Sequence, residues 1–137
     1  LLPMFTLGHQ FKPSNIHAGG LRYHGAGMIV SQLIKDKMMH GVDIPQLESF
    51  ESGMLFARTE GIIPAPESCH AIAATIREAK KCKETGEQKV ILFCLSGHGL
   101  IDMPSYEQFI SGDLQNYTVS DEEIERNVSE LEPIIKE

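Results

Sequence analysis

Apolar and polar positions change rhythm several times along this chain, and the changes mark its elements. Residues 1–27 keep neither a helical nor a strand period; they carry Gly8, Gly19, Gly20, Gly25 and Gly27, two prolines, and His9, His17 and His24. An irregular stretch of this length in a compact domain is expected to be functional, or to be covered by a partner segment. From Gly27 onward, Met28, Ile29, Leu33, Ile34 and Met38 recur near helical spacing, and Lys35 and Lys37 suit a helix carboxyl end. The pattern predicts a helix to about Met39, broken by His40-Gly41, then a short strand or extended link from Val42 to Gln46 interrupted by Pro45.

Leu47, Phe50, Met54, Ala57 and Arg58 predict a second helix to about Thr59, with Glu48 and Glu51 in its opening turn. Its Met and Phe stripe reads as core packing. Gly61 then allows a left-handed turn through Glu60-Gly61-Ile62-Ile63-Pro64. Pro66 suits a first helical position, and Cys69, Ile72, Ala73, Ile76 and Ala79 continue the period until Gly86 stops it. Further on, Pro104 to Gly112 reads as a helix carrying Tyr106, Phe109 and Ile110. A last amphipathic helix follows, capped by Thr118 or Ser120, with Ile124, Val128 and Leu131 on one side and Pro133 at its end.

Between these helices lies Lys89 to Gly99, KVILFCLSGHG. Val90 to Leu95 is too short an apolar run for a stable helix and suits a strand buried on both faces, as in parallel sheets covered by helices. It ends in Ser96-Gly97-His98-Gly99, and in open α/β folds ligands sit beyond the carboxyl ends of strands, where a hydroxyl flanked by glycines can meet them closely. The residues alone also fit a plain glycine-rich turn. The expected class is α/β, with few parallel strands flanked by helices and a sheet completed by a segment not in this chain. Its expected parts are residues 1–27 as a loop region, 28–112 as the α/β part and 113–137 as an acidic terminal helix.

Composition narrows the function classes. The chain has 137 residues, 42 % hydrophobic and 23 % charged, enough for one ordinary core. No apolar run approaches the roughly 20 residues that span a bilayer, so the expectation is a cytoplasmic protein without a membrane partner. The net charge of −7 argues against nucleic acid as a partner. Cys69, Cys82 and Cys94 lack paired spacing and are expected to be reduced, buried thiols. The spacing of the three early histidines does not point to a metal site.

The run Arg58-Thr59-Glu60-Gly61-Ile62-Ile63-Pro64-Ala65-Pro66-Glu67-Ser68 with His70-Ala71, followed downstream by Leu95-Ser96-Gly97-His98-Gly99, resembles the tryptophan synthase beta chain. The opening TLGHQF and IHAGGLRYHG and the later IPQLESFESG resemble the second, stand-alone type of that chain. The resemblance implies the carboxyl-terminal portion of a pyridoxal-phosphate enzyme of the second fold type, joining indole to L-serine to make L-tryptophan. It implies that Ser96 meets the pyridine nitrogen of the cofactor, that Glu60 lies beside the cofactor as a catalytic acid, and that Gly97 and Gly99 let backbone approach the ring. It implies further that Gly20, Arg22 and Tyr23 belong to a loop contacting the serine-derived part of the substrate. The carbonyls of Tyr23 and Gly25 would serve sodium or potassium, and the protein would be a homodimer with an alpha subunit as a further partner.

Three departures from the family pattern stand out. Arg22 replaces the aspartate that receives the serine hydroxyl in the paired type, and His98 stands where that type has arginine. The lysine that anchors the cofactor in a His-Lys-x-Asn setting, and the GGGSN loop that cradles its phosphate, have no counterpart; Lys35, Lys37 and Lys89 are not in such a setting. The chain alone is therefore expected to be inactive and to need the amino-terminal remainder of the enzyme. The alternatives are a non-catalytic assembly or binding module of the same fold and a serine or threonine deaminase.

Overall fold

A computed structural model describes residues 4–131. The chain divides into two compact units, one made of residues 16–21 and 43–117, the other of 1–15, 22–42 and 118–137 as far as these are described.

The first unit is a helical packing around one aromatic cluster. It holds α2 (Gln46–Glu60), α3 (Pro66–Thr85) and α4 (Met103–Ser111), together with a short 3-10 turn at Gly19–Leu21. Local chemistry sets their ends. Glycines at 61, 86 and 112 follow the three helices with φ of 71°, 73° and 78°, a left-handed region in which a Cβ is strained. Pro66 opens α3, where its missing N–H costs nothing. Phe50, Cys69, Tyr106 and Leu114 are buried, with Leu47, Met54, Ile63 and Phe109 packed around them. The Phe50 ring meets Tyr106 edge-on at 5.1 Å and stacks on Phe109 at 5.7 Å. Burying Phe50 contributes about 1.5–3 kcal/mol, so the predicted Met and Phe stripe is core.

The second unit holds α1 (Met28–Lys35) and α5 (Asp121–Ser129). An isolated antiparallel bridge joins Thr6 to Gly25, flanked by Leu7 N–H to His24 C=O at 2.8 Å and Ala26 N–H to Phe5 C=O at 2.9 Å. The helix predicted to Met39 ends at Lys35 instead. Asp36 caps it and Lys37 takes φ 58°, which turns the chain before the His40-Gly41 break is reached. Ser120 is the cap of α5: its hydroxyl accepts from Glu123 N–H at 3.2 Å, with three acids in the first turn. Pro133, the predicted stop, lies outside the described residues.

The expected parallel strand at Val90–Leu95 is not formed, and among the described residues there is no sheet. Segment 88–97 carries no regular secondary structure and no ladder partner, and Val42 to Pro45 is a link rather than a strand. Alternation nonetheless persists in 90–94: Ile91 and Phe93 are half-buried, with Phe93 edge-on to Phe56 at 5.9 Å, whereas Val90 and Leu92 are 100 % and 94 % exposed. A strand's hydrogen bonds come from its neighbours, so an apolar run with β spacing forms no strand when no neighbour is present. The same geometry leaves Cys94 exposed, so only Cys69 is a fully buried thiol; Cys82 is half-buried.

Gly53 marks the closest approach inside the first unit. A Cβ there would lie 2.4 Å from Cys69 Sγ and 3.1 Å from Tyr106 Oη. Cys69 is fully buried and has nowhere to move. Gly53→Ala is expected to destabilise the protein by about 1–3 kcal/mol despite the better helix propensity of alanine. Gly41→Ala, where a Cβ meets nothing within 4 Å, should leave Tm close to unchanged; thermal unfolding of both variants checks the pair.

Candidate active site

The turn after α2 and the segment after the apolar stretch are drawn together. Gly99 N–H donates to Ile63 C=O at 2.8 Å, Ala65 N–H donates to Gly97 C=O at 3.0 Å, and Pro64 bridges His98 in antiparallel fashion. This clamp joins the two motifs that the sequence separates by all of α3. Glycine is required at 99, where a Cβ would sit 2.4 Å from Pro64 O and 3.0 Å from the Tyr106 ring, while a Cβ on Gly97 would press more mildly on Ala65 Cβ at 3.2 Å.

Tyr106 secures the clamp from below. Its hydroxyl donates to Pro64 C=O at 2.5 Å and lies 3.2 Å from Cys69 Sγ. Burial, followed by the neighbouring Cys69, raises the phenol far above its usual range, and burial raises the Cys69 thiol as well. Both groups therefore stay protonated at neutral pH, which leaves the Tyr106 proton on Pro64.

Ser96 stands at the mouth of this clamp. The residue is exposed, and its Oγ lies 3.2 Å from the Oγ of buried Ser68 in the first turn of α3. Glu60 is the last residue of α2, exposed, one position before left-handed Gly61. Gly97 is half-buried beside Ala65, and His98 is exposed, its Nδ1 facing Leu100 N–H at 3.4 Å. Gly20 belongs to the same unit and donates its N–H to Glu67 Oε1 at 2.8 Å. Two more bonds fix that turn: His17 N–H to Gln46 Oε1 at 2.8 Å and His17 Nδ1 with Ser105 Oγ at 2.9 Å.

Arg22, Tyr23 and Gly25 belong to the other unit. There the Arg22 guanidinium donates to Asn15 Oδ1 at 2.9 Å, Tyr23 is 72 % exposed, and Gly25 pairs with Thr6. His24 C=O accepts from both Leu7 N–H and Thr6 Oγ1. Among the described residues no group of three His, Cys, Asp or Glu side chains is arranged to hold a metal ion.

The motifs single out Ser96, Gly97 and Glu60 as candidates, and the structure adds Ser68, Tyr106 and Glu67, which hold the backbone and side chains around them. Ser68 reads locally as an ordinary first-turn serine, and Tyr106 as one more apolar helix position. Their partners are far away in sequence, so no spacing signals them.

The clamp gives a pH prediction. Cys69 and Tyr106 have raised values in the folded state, so the unfolded chain loses these protons first as pH rises. Their contribution is complete below the ordinary thiol value of 9.0 and falls away above it, increasingly past the phenol value of 10.0. Tm of the protein should therefore drop with pH in the alkaline range more steeply than Tm of Tyr106→Phe. That variant should also be less stable at neutral pH by about 1–3 kcal/mol, because Pro64 C=O loses its buried donor. Equal slopes for the two proteins would contradict the assignment.

No family model matches the chain. Among curated proteins it is 58 % identical over 114 residues to tryptophan synthase beta chain 2 of Aquifex aeolicus, covering 83 % of this chain and 26 % of the relative. It is 57 % identical over 106 residues to tryptophan synthase beta chain 2 of Thermotoga maritima, covering 77 % and 25 %. It is 50 % identical over 114 residues to that of Methanothermobacter thermautotrophicus, covering 83 % and 27 %. The chain thus spans about a quarter of the length of the curated relatives it matches. The motifs tied by the clamp and these identities agree: the chain belongs to the tryptophan synthase beta chain family, a family of pyridoxal-phosphate lyases of the second fold type, and corresponds to its carboxyl-terminal portion.

Proposed function

We propose that this chain supplies the pyridine-nitrogen side of the active site in an enzyme that condenses indole with L-serine to L-tryptophan by β-replacement. The observation that carries the reading is the clamp, which fixes the backbone at Gly97 and Gly99 and leaves the adjoining Ser96 an exposed residue. The anchoring lysine and the phosphate-binding loop belong, in this reading, to the rest of a polypeptide about three times as long, as the relatives are.

The residues present fit the cofactor's ring nitrogen. The side-chain partner of Ser96 among the described residues is another uncharged hydroxyl, with no carboxylate or ammonium bonded to it. Pyridoxal phosphate, when bound, supplies an electron sink for the α-carbon of the amino acid. A neutral hydroxyl does not hold the ring nitrogen protonated as a carboxylate would, so Ser96 sets a weaker sink and favours loss of the β-hydroxyl. Glu60 is assigned the exchange of protons beside the cofactor; its exposed position at the end of α2 leaves both carboxylate oxygens available. Gly20, Arg22 and Tyr23 are assigned to the serine-derived part of the substrate, with Tyr23 and Gly25 carbonyls for sodium or potassium. A cytoplasmic homodimer with an alpha-subunit contact completes the assembly in this reading.

The apolar stretch supports the same conclusion from another side. Val90, Leu92 and Cys94 alternate with half-buried Ile91 and Phe93, which puts them on one highly exposed face, and in a parallel sheet completed by the longer polypeptide a packed layer of helices would cover that face. Among the described residues no helix is long and apolar enough to cross a membrane, so a bilayer-spanning helix does not account for this apolar surface.

The direct test is the full-length protein with pyridoxal phosphate, L-serine and indole. Tryptophan should form, and pyruvate release without indole consumption would instead favour the deaminase. Cys94 gives an independent check: a thiol reagent should modify it rapidly in the isolated chain and at least about tenfold more slowly in the full-length protein, where burial limits access. Equal rates would contradict the covered strand. An isolated chain that forms a closed-sheet dimer without the remainder would favour the assembly module.

A further inference from the structure

Ser68 is more than 98 % covered in a helix whose amino end has no side-chain cap: the helix begins at Pro66 after Ala65, and no side chain bonds its first amides. The Ser68 hydroxyl is therefore not used as a helix cap. Its side-chain partner among the described residues is Ser96 Oγ at 3.2 Å. A buried hydroxyl without a partner is costly, and no buried polar side-chain atom among the described residues is left without one. The pairing of Ser68 with Ser96 is thus what allows a hydroxyl at this buried position.

The clamp restricts Ser96 further. Ala65, three residues before Ser68, donates to Gly97 C=O at 3.0 Å, which ties the backbone next to Ser96 to the start of α3. What remains free is the Ser96 side-chain torsion and the rotation of its hydroxyl proton. A serine hydroxyl has one proton to give and lone pairs to accept. When Ser68 donates to Ser96, the Ser96 proton has no partner among the described residues and is left for a ligand acceptor.

We propose that Ser68 is a positioning residue for the cofactor: by donating to Ser96 Oγ it holds the Ser96 hydroxyl as a donor toward the pyridine nitrogen and keeps that nitrogen unprotonated. The proposal rests on the assignment of Ser96 to the ring. Ser68 itself does not touch the cofactor. Its removal changes which way the Ser96 proton points, and leaves the identity of the group at the ring unchanged.

The test is a double-mutant cycle on the full-length protein, read as the dissociation constant of pyridoxal phosphate and as the 15N shift of the cofactor's ring nitrogen, with folding checked by thermal unfolding. Ser68→Ala is expected to weaken binding about two- to tenfold, as for one net hydrogen bond, and to move the 15N shift. In the Ser96→Ala background the same change should alter binding by less than about twofold and leave the shift in place, because the coupling runs through Ser96. Ser68→Cys, which keeps the volume with a weaker donor, should fall between the two and serves if the alanine variant does not fold. Equal losses in both backgrounds, or no change in the 15N shift of Ser68→Ala, overturns the proposal while leaving Ser96 on the ring. A Ser96→Ala protein with unchanged affinity and shift overturns the assignment of Ser96 and the proposal with it.

Discussion

Two backbone hydrogen bonds, Gly99 to Ile63 and Ala65 to Gly97, tie the turn after α2 to the segment that carries Ser96. They act between a turn just after one helix and a glycine-rich segment that begins beyond the end of the next, so they depend on the packing of α2 against α3. That packing is supplied by the Phe50, Cys69 and Tyr106 cluster. Tyr106 links the two levels, since its ring belongs to the core and its hydroxyl holds the carbonyl at the centre of the turn. Core and site are therefore one cooperative structure: a substitution that loosens the aromatic cluster also frees the backbone on which Ser96 stands.

The helices were legible because their determinants are local. Proline at the start of α3, glycines after α2, α3 and α4, and a serine before three acids at α5 each act within a turn of where they stand. The end of α1 was misplaced for a related reason: Lys37 in a left-handed conformation stops it earlier than the glycine that sequence reasoning chose. The stretch from Val90 to Leu95 failed differently. Its side-chain alternation is that of a strand, but a strand exists only as part of a ladder, and no amount of local pattern supplies the neighbour. Family motifs nominate Ser96, Gly97 and Glu60, yet Ser68 and Tyr106, which bond to Ser96 and Pro64, act across long sequence separations and left no mark on the pattern.

Electrostatics plays a small part in holding the first unit. The Arg77 fork on Glu48 ties α3 to α2 at the surface and lowers the Glu48 carboxyl below its ordinary range, through the hydrogen bond first. Exposed pairs of this kind add little to stability. The neutral hydrogen bonds of the clamp matter more to the proposed site, because they fix the backbone on either side of the glycines that follow Ser96. An uncharged support also suits a ring nitrogen that is to stay neutral. A carboxylate at this spot would draw a proton onto such a nitrogen, whereas two serine hydroxyls do not.

The most direct measurement is a structure of the full-length protein with pyridoxal phosphate bound. The account predicts Ser96 Oγ about 2.7–3.2 Å from the ring nitrogen, Ser68 still on its far side, and both clamp bonds kept. A ring nitrogen facing a charged side chain instead, or Ser96 turned away into packed protein, would contradict it.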